Sequence, residues 1–189
     1  MTPILIAPPA VEPIGLDETK AWLRIETAAE DELVGTLIAS ARLVVENLTR
    51  RFMVAQTWRL VLDELPPGGL RLPFSPVRTV ILRVFDAAGV ASILPTQNYS
   101  LVAEGGDTTV KFTALPPQPG RQTAGVEIDV EAGFASDAEG VPAPLRQAMR
   151  LLVARWYENR GDVETDADIA RTPAAVTALL APYRRVRLS

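Results

Sequence analysis

The hydrophobic pattern changes period twice along this chain, and no other feature constrains the fold as much. Residues 16–51 and 142–161 repeat at three- and four-residue spacing, as helices with one buried face do, whereas residues 56–131 alternate like half-buried strands. Neither helical end can cover its apolar face alone, so two segments far apart in sequence have to complete each other's core. The expected class is α+β: a helical bundle from the N- and C-terminal helices with an inserted antiparallel β module, a small sandwich or barrel-like unit. This divides the chain into an extended arm (1–15), a helical domain (16–54 with 141–182), a β module (55–140) and a basic tail (183–189).

Local signals place the elements. After Gly15, Asp17 and Glu18 put two acids at the positive end of a short helix over about 16–24, with Trp22, Leu23 and Ile25 as apolar contacts. Thr27 and Glu30 match a capping box opening a second helix, Ala28 to Arg51, with Leu33, Leu37, Ala41, Val44 and Leu48 as its buried stripe and Glu32, Arg42 and Glu46 off it. From Gln56, Trp58, Leu60 and Leu62 alternate with Thr57, Arg59, Val61 and Asp63, until Pro66-Pro67-Gly68-Gly69 turns the chain. Val77–Asp86 and Val90–Leu94 flank a hairpin loop at Ala87-Ala88-Gly89, and further strands are expected at Tyr99–Ala103, Thr108–Phe112 and Val126–Glu131. Pro142 and Pro144 suit the first turn of a third helix whose face is Leu145, Met149, Leu152, Val153, Trp156 and Tyr157. Gly161–Thr172 has no period and reads as a mobile acidic loop, after which Pro173 starts a short helix over Ala174–Leu180, ended by Pro182. Pro3, Pro8, Pro9 and Pro13 interrupt the apolar N-terminus, which reads as an arm and not a secretory signal, and no apolar run approaches the roughly 20 residues of a membrane span.

The composition closes off several chemistries. The chain has no histidine and no cysteine, which removes Ser-His-Asp and Cys-His catalysis, imidazole and thiolate metal sites, and disulfides. Glu30-Asp31-Glu32 lies at a helix start, where the dipole favours carboxylates. The acids Asp162, Glu164, Asp166 and Asp168 lack the glycine and terminal glutamate of a calcium loop, and read as an exposed partner-binding loop. Gly68-Gly69 and Gly105-Gly106 stand in no phosphate-binding motif, and Trp22, Trp58 and Trp156 read as core anchors. An enzyme reading would need a carboxylate pair such as Asp63 with Glu127, which nothing in the sequence brings together. A net charge of −4 with dispersed basic residues argues against a dedicated nucleic-acid surface, and seventeen of the nineteen basic residues are arginine, suited to bidentate contacts across interfaces. The expectation is a non-enzymatic protein without cofactor or metal that binds protein surfaces, copies of itself included; a monomeric module binding a protein or carbohydrate through its β part is the alternative. Tyr183-Arg184-Arg185-Val186-Arg187 reads either as a solvated terminus or as a basic arm for an acidic partner.

Taken in order, LDETKAWLRI (16–25), EDELVGTLIASARLVVENLTRR (30–51), QTWRLVLDELP (56–66), LPFSPVRTV (72–80), PAPLRQAMRLLVARWYENRG (142–161) and PAAVTALLAPYR (173–184) form a series whose order and spacing carry more information than any one member. The chain resembles the head-tail connector (adaptor) family of tailed bacteriophages and the related adaptors of gene transfer agents. The resemblance implies a ring, typically of twelve subunits, between the portal and the tail stopper or terminator protein, with DNA passing transiently and non-specifically through the lumen and no membrane involved. It implies assembly in the bacterial cytoplasm and a final position at the head-tail junction. By position it assigns portal docking to the segment carrying Tyr183, Arg184, Arg185 and Arg187. Contacts between copies are expected on the second helix at Arg42, Glu46 and Arg50, with the helical ends side by side and the β module and acidic loop outward.

Overall fold

A computed structural model describes residues 3–159 and 172–185. They form two compact units, one from the segment ending at Pro9 together with Ala55–Gly133, the other from Ala10–Val54 and the chain from Phe134 onward. Among the described residues the architecture is α+β, with four α-helices and antiparallel sheets that form no closed barrel.

In the helical unit, α1 spans Leu16–Leu23, a 3-10 turn at Ala28–Glu30 leads into α2 at Asp31–Thr49, and α3 (Ala143–Glu158) and α4 (Ala174–Leu180) follow the β module. The two ends of the chain do share one core: Val34, Ile38, Ala41 and Val45 of α2 cluster with Leu145, Met149, Leu152 and Val153 of α3 and with Val176 and Leu180 of α4. Each valine, isoleucine, leucine or methionine among them contributes about 1.5–3 kcal/mol when buried relative to an exposed one. The buried stripe of α2 is therefore rotated by one position from the expected one. Leu33 is exposed, Leu37, Val44 and Leu48 are half-buried, and Glu46 is buried in their place. The helix is apolar on overlapping ladders, so spacing alone could not select the inward one. The capping box also fails to form: Thr27 makes no side-chain cap bond, and the Glu30 carboxylate instead accepts the Tyr157 hydroxyl from α3. Trp22 is half exposed on α1 and anchors no core. Pro182 lies inside a 3-10 turn, Ala181–Tyr183, that continues α4.

The β unit contains two sheets. The larger runs β1 (Ile4–Ala7), β2 (Gln56–Leu62), β8 (Val126–Ala132), β4 (Val77–Phe85) and β5 (Ala91–Ile93) in spatial order; the smaller runs β3 (Leu70–Leu72), β7 (Asp107–Phe112) and β6 (Tyr99–Glu104). Every neighbouring pair is antiparallel. Leu60, Leu82, Val84, Ile128 and Val130 supply buried positions of the large sheet, and Leu72 and Val110 those of the small one. The buried Tyr99 hydroxyl of β6 donates to the Val80 carbonyl of β4 at 2.7 Å, tying one sheet to the other. Two strands lie outside the sequence expectations. The N-terminal arm forms β1, and β3 follows the Pro-Pro-Gly-Gly turn directly. At the end of that turn Gly69 has φ +95°, and a Cβ there would stand 2.6 Å from the Val110 carbonyl oxygen, so only glycine lets β3 approach β7 this closely.

Candidate assembly surfaces

Three arrangements stand out, one on the large sheet and two around the C-terminal end of α2. Cross-strand register places Arg59, Asp129 and Ile81 in one row of the sheet face, and Val61, Glu127 and Arg83 in the next. Arg59 grips Asp129 through two bonds of 2.6 and 2.9 Å and also pairs with Glu127 at 2.9 Å, while Arg83 reaches Asp129 at 2.5 Å and Arg78 reaches Glu131 at 2.9 Å. The Arg59 fork, reinforced by Arg83, holds the Asp129 carboxyl below the usual carboxylate range despite partial burial. Three arginines and three carboxylates thus neutralise one another, which makes a rigid face with little net attraction for phosphate.

At the end of α2 a carboxylate is buried. Glu46 is 7% exposed; one oxygen accepts the Met53 amide at 2.9 Å and the other meets Arg42 at 3.3 Å, and Arg42 pairs in turn with Glu12 at 2.8 Å. Burial pushes the Glu46 carboxyl above its ordinary value, although the Met53 amide and Arg42 oppose the shift. Of the three α2 residues expected at contacts between copies, Arg42 and Glu46 are therefore bound up in a network within the chain, and Arg50 is the exposed one, at φ 55° where the helix ends.

The same helix end seats the C-terminal segment. Arg51 donates to the Tyr183 carbonyl at 2.8 Å, the Arg185 amide donates to the Thr49 carbonyl at 3.2 Å, and the Arg184 guanidinium lies 3.5 Å from the Leu48 carbonyl. The Tyr183 ring meets Phe134 edge to face at 6.1 Å, and the Arg51 guanidinium sits 6.0 Å over the same ring. Helix carbonyls that would otherwise lack partners are capped by the tail, with cationic side chains at the negative end of the dipole. Tyr183, Arg184 and Arg185 are thus gathered at one place; Arg187 and the loop acids Asp162, Glu164, Asp166 and Asp168 lie outside the described residues. Sequence reasoning missed Arg51, Phe134 and Glu12, whose roles depend on contacts between residues far apart in the chain.

The remaining candidates for chemistry are carboxylates among the described residues. No cluster of three metal-ligating side chains occurs among them. Asp63 accepts the Ala124 amide at 2.9 Å and Glu127 is held by Arg59, so each carboxylate has a different structural partner. A shallow groove lined by Asp63, Glu64, Gln118 and Arg121 is open to solvent. No helix among the described residues is long and apolar enough to cross a membrane.

No protein-family model matches the chain, and no curated protein matches it. Solved structures do. The chain is 29% identical to a chain in the neck of an empty gene transfer agent particle computed with C6 symmetry, with a TM-score of 0.81 over 100% of this chain and 98% of the other. A chain of the native gene transfer agent virion matches at 29% identity and a TM-score of 0.80, and one in the native particle's neck computed with C12 symmetry at 29% and 0.74, each with the same coverage. In sequence and in fold, from end to end, the chain is similar to structural components of the gene transfer agent neck.

Proposed function

We propose that this chain is a head-tail adaptor of a phage-like particle, one subunit of a ring between portal and tail whose lumen passes DNA. The observation that carries the reading is the full-length similarity to chains of particle necks reconstructed with C6 and C12 symmetry. The subunit assembles in the bacterial cytoplasm and ends at the head-tail junction. Twelve copies form the ring, and the acidic loop with Asp162, Glu164, Asp166 and Asp168 faces the tail stopper or terminator protein. The segment carrying Tyr183, Arg184, Arg185 and Arg187 docks on the portal from its seat at the C-terminal end of α2, and the arginines supply charge-assisted bonds to it. Arg50 meets the neighbouring copy, while Arg42 and Glu46 brace the helix end behind it. The self-neutralised sheet face and the net charge of −4 suit a conduit that must not grip DNA, since each neutralised phosphate adds affinity through counterion release.

The test is co-purification with the portal protein of the same particle. The full chain should bind the portal ring, and removal of Pro182–Ser189 should abolish that binding while circular dichroism still reports a folded protein. Equal portal binding with and without the segment refutes the docking role.

A further inference from the structure

The large sheet ends on both sides in open, uncharged strands. Among the described residues, β1 pairs only with β2 and β5 only with β4, so the outer side of each lacks a strand partner. All four residues of β1 are exposed, and so is every position from Asp86 to Ile93. Ile4 and Ile6 are 49% and 48% exposed, and Val90 and Ile93 are 63% and 64%. Asp86 is the one charged residue in these two stretches, and its carboxylate is occupied within the turn by the Ala88 and Val90 amides, both at 2.9 Å. Soluble proteins guard such edges with lysine, proline or a covering segment. Pro3, Pro8 and Pro9 bracket β1 and limit pairing to its four residues, but β5 carries no guard of its own.

These edges fit each other better than they fit an unrelated partner. A head-to-tail contact between identical subunits needs two different surfaces on each copy, and the sheet offers two, both apolar and uncharged, on opposite sides. Because every neighbouring pair is antiparallel, β1 and β5 run in the same direction, so β5 of one copy meets β1 of the next as a parallel pair after rotation about an axis along the strands. Register also aligns the faces: Ile4 lies opposite Arg59 and Ile93 opposite Arg83, and both arginines belong to the ionic face. A foreign protein would need only one edge.

We propose that β5 of one copy docks edge to edge on β1 of the next, with Val90 and Ile93 packed beside Ile4 and Ile6 of the neighbour. This inference rests on the ring reading above and adds a second contact to the one at Arg50. The chain has no cysteine, so introduced thiols are unique. The experiment uses the full chain assembled with portal protein, in two double variants, Ile4→Cys with Ile93→Cys and Ile4→Cys with Ala91→Cys, which cover adjacent registers. Mild oxidation should give a ladder of covalent multimers from at least one double variant and none from the single variants. Ile93→Lys, at a position too exposed to affect folding, should lower the assembled fraction at least tenfold with an unchanged melting curve. A ring that assembles without any ladder, and equally well with Ile93→Lys, overturns the edge contact and leaves the ring reading standing. Dimers from Ile4→Cys alone indicate two-fold pairing, and cross-links to another protein indicate a foreign occupant; either overturns the proposal. If the unmodified chain forms no ring with portal, the ring reading fails and takes this inference with it.

Discussion

Replacing Glu46 with alanine should destabilise the helical unit far more than replacing it with glutamine, because of what the carboxylate does where it is buried. Alanine leaves the Met53 amide, on a fully buried residue, without its acceptor, a cost of about 1–3 kcal/mol. It removes one buried methylene, at about 0.8 kcal/mol, and leaves Arg42 paired with Glu12. The sum, about 2–4 kcal/mol, overlaps the roughly 3–5 kcal/mol that breaking one side of a buried pair generally costs. Glutamine keeps an oxygen for Met53 and gives up the charge that burial penalises, so its effect should stay within about 1 kcal/mol. The pH dependence tests the role of the charge separately. Because the native Glu46 carboxyl is raised, the native state holds its proton longer than the unfolded chain, and stability falls as pH rises from the ordinary glutamate value through the native one. Glu46→Gln should lack that fall. Urea unfolding followed by ellipticity at 222 nm across pH 4 to 8, about the range from the ordinary glutamate value upward, reads both effects. An alanine variant within about 1 kcal/mol of wild type, or a glutamine variant as damaged as alanine, refutes the reasoning.

Other substitutions test other parts of the structure. Asp129 is held below its ordinary value, so its contribution is present above about pH 4 and lost as pH falls through the native value; Asp129→Asn should flatten that acid limb in a pH series of melting curves. Gly35 sits within α2 with open space where a Cβ would be, so Gly35→Ala should raise stability by about 0.5–1 kcal/mol in urea unfolding. Gly69→Ala meets the Val110 carbonyl at 2.6 Å in a left-handed conformation, and should lower the melting temperature of the β unit where Gly68→Ala, with open space, leaves it nearly unchanged. Arg51→Ala removes the bond to the Tyr183 carbonyl, and should weaken portal binding in titration calorimetry while hydrogen exchange rises at Arg184 and Arg185.

Much of the fold was legible because each element announces itself over a short window. The alternation in Gln56–Leu62 and Val126–Ala132, and the three- and four-residue ladder of Ala143–Glu158, fix element type without reference to anything distant. The failures share one cause, competition settled by tertiary contacts. Glu30 looked like half of a capping box until α3 brought the Tyr157 hydroxyl to it. Leu33 and Val34 both satisfy a helical ladder, and only the position of α3 and α4 decides that Val34 turns inward. The prolines around β1 give it the sequence signature of an arm, and its four exposed residues carry no burial pattern that could mark a strand. The proposed assembly surfaces left uneven signals: the tail arginines and Arg50 stand out in the sequence by position and charge, whereas the seat formed by Arg51 and Phe134 joins residues about 130 and 50 positions from Tyr183 along the chain and leaves no local signal.

Native mass spectrometry of the purified chain, mixed with portal protein, tests the central claim most directly. The adaptor reading expects masses of a portal ring carrying a closed complement of this subunit, twelve copies in the full assembly, in step with the C12 symmetry of the neck that the chain resembles. A chain that stays monomeric in the presence of assembled portal contradicts it.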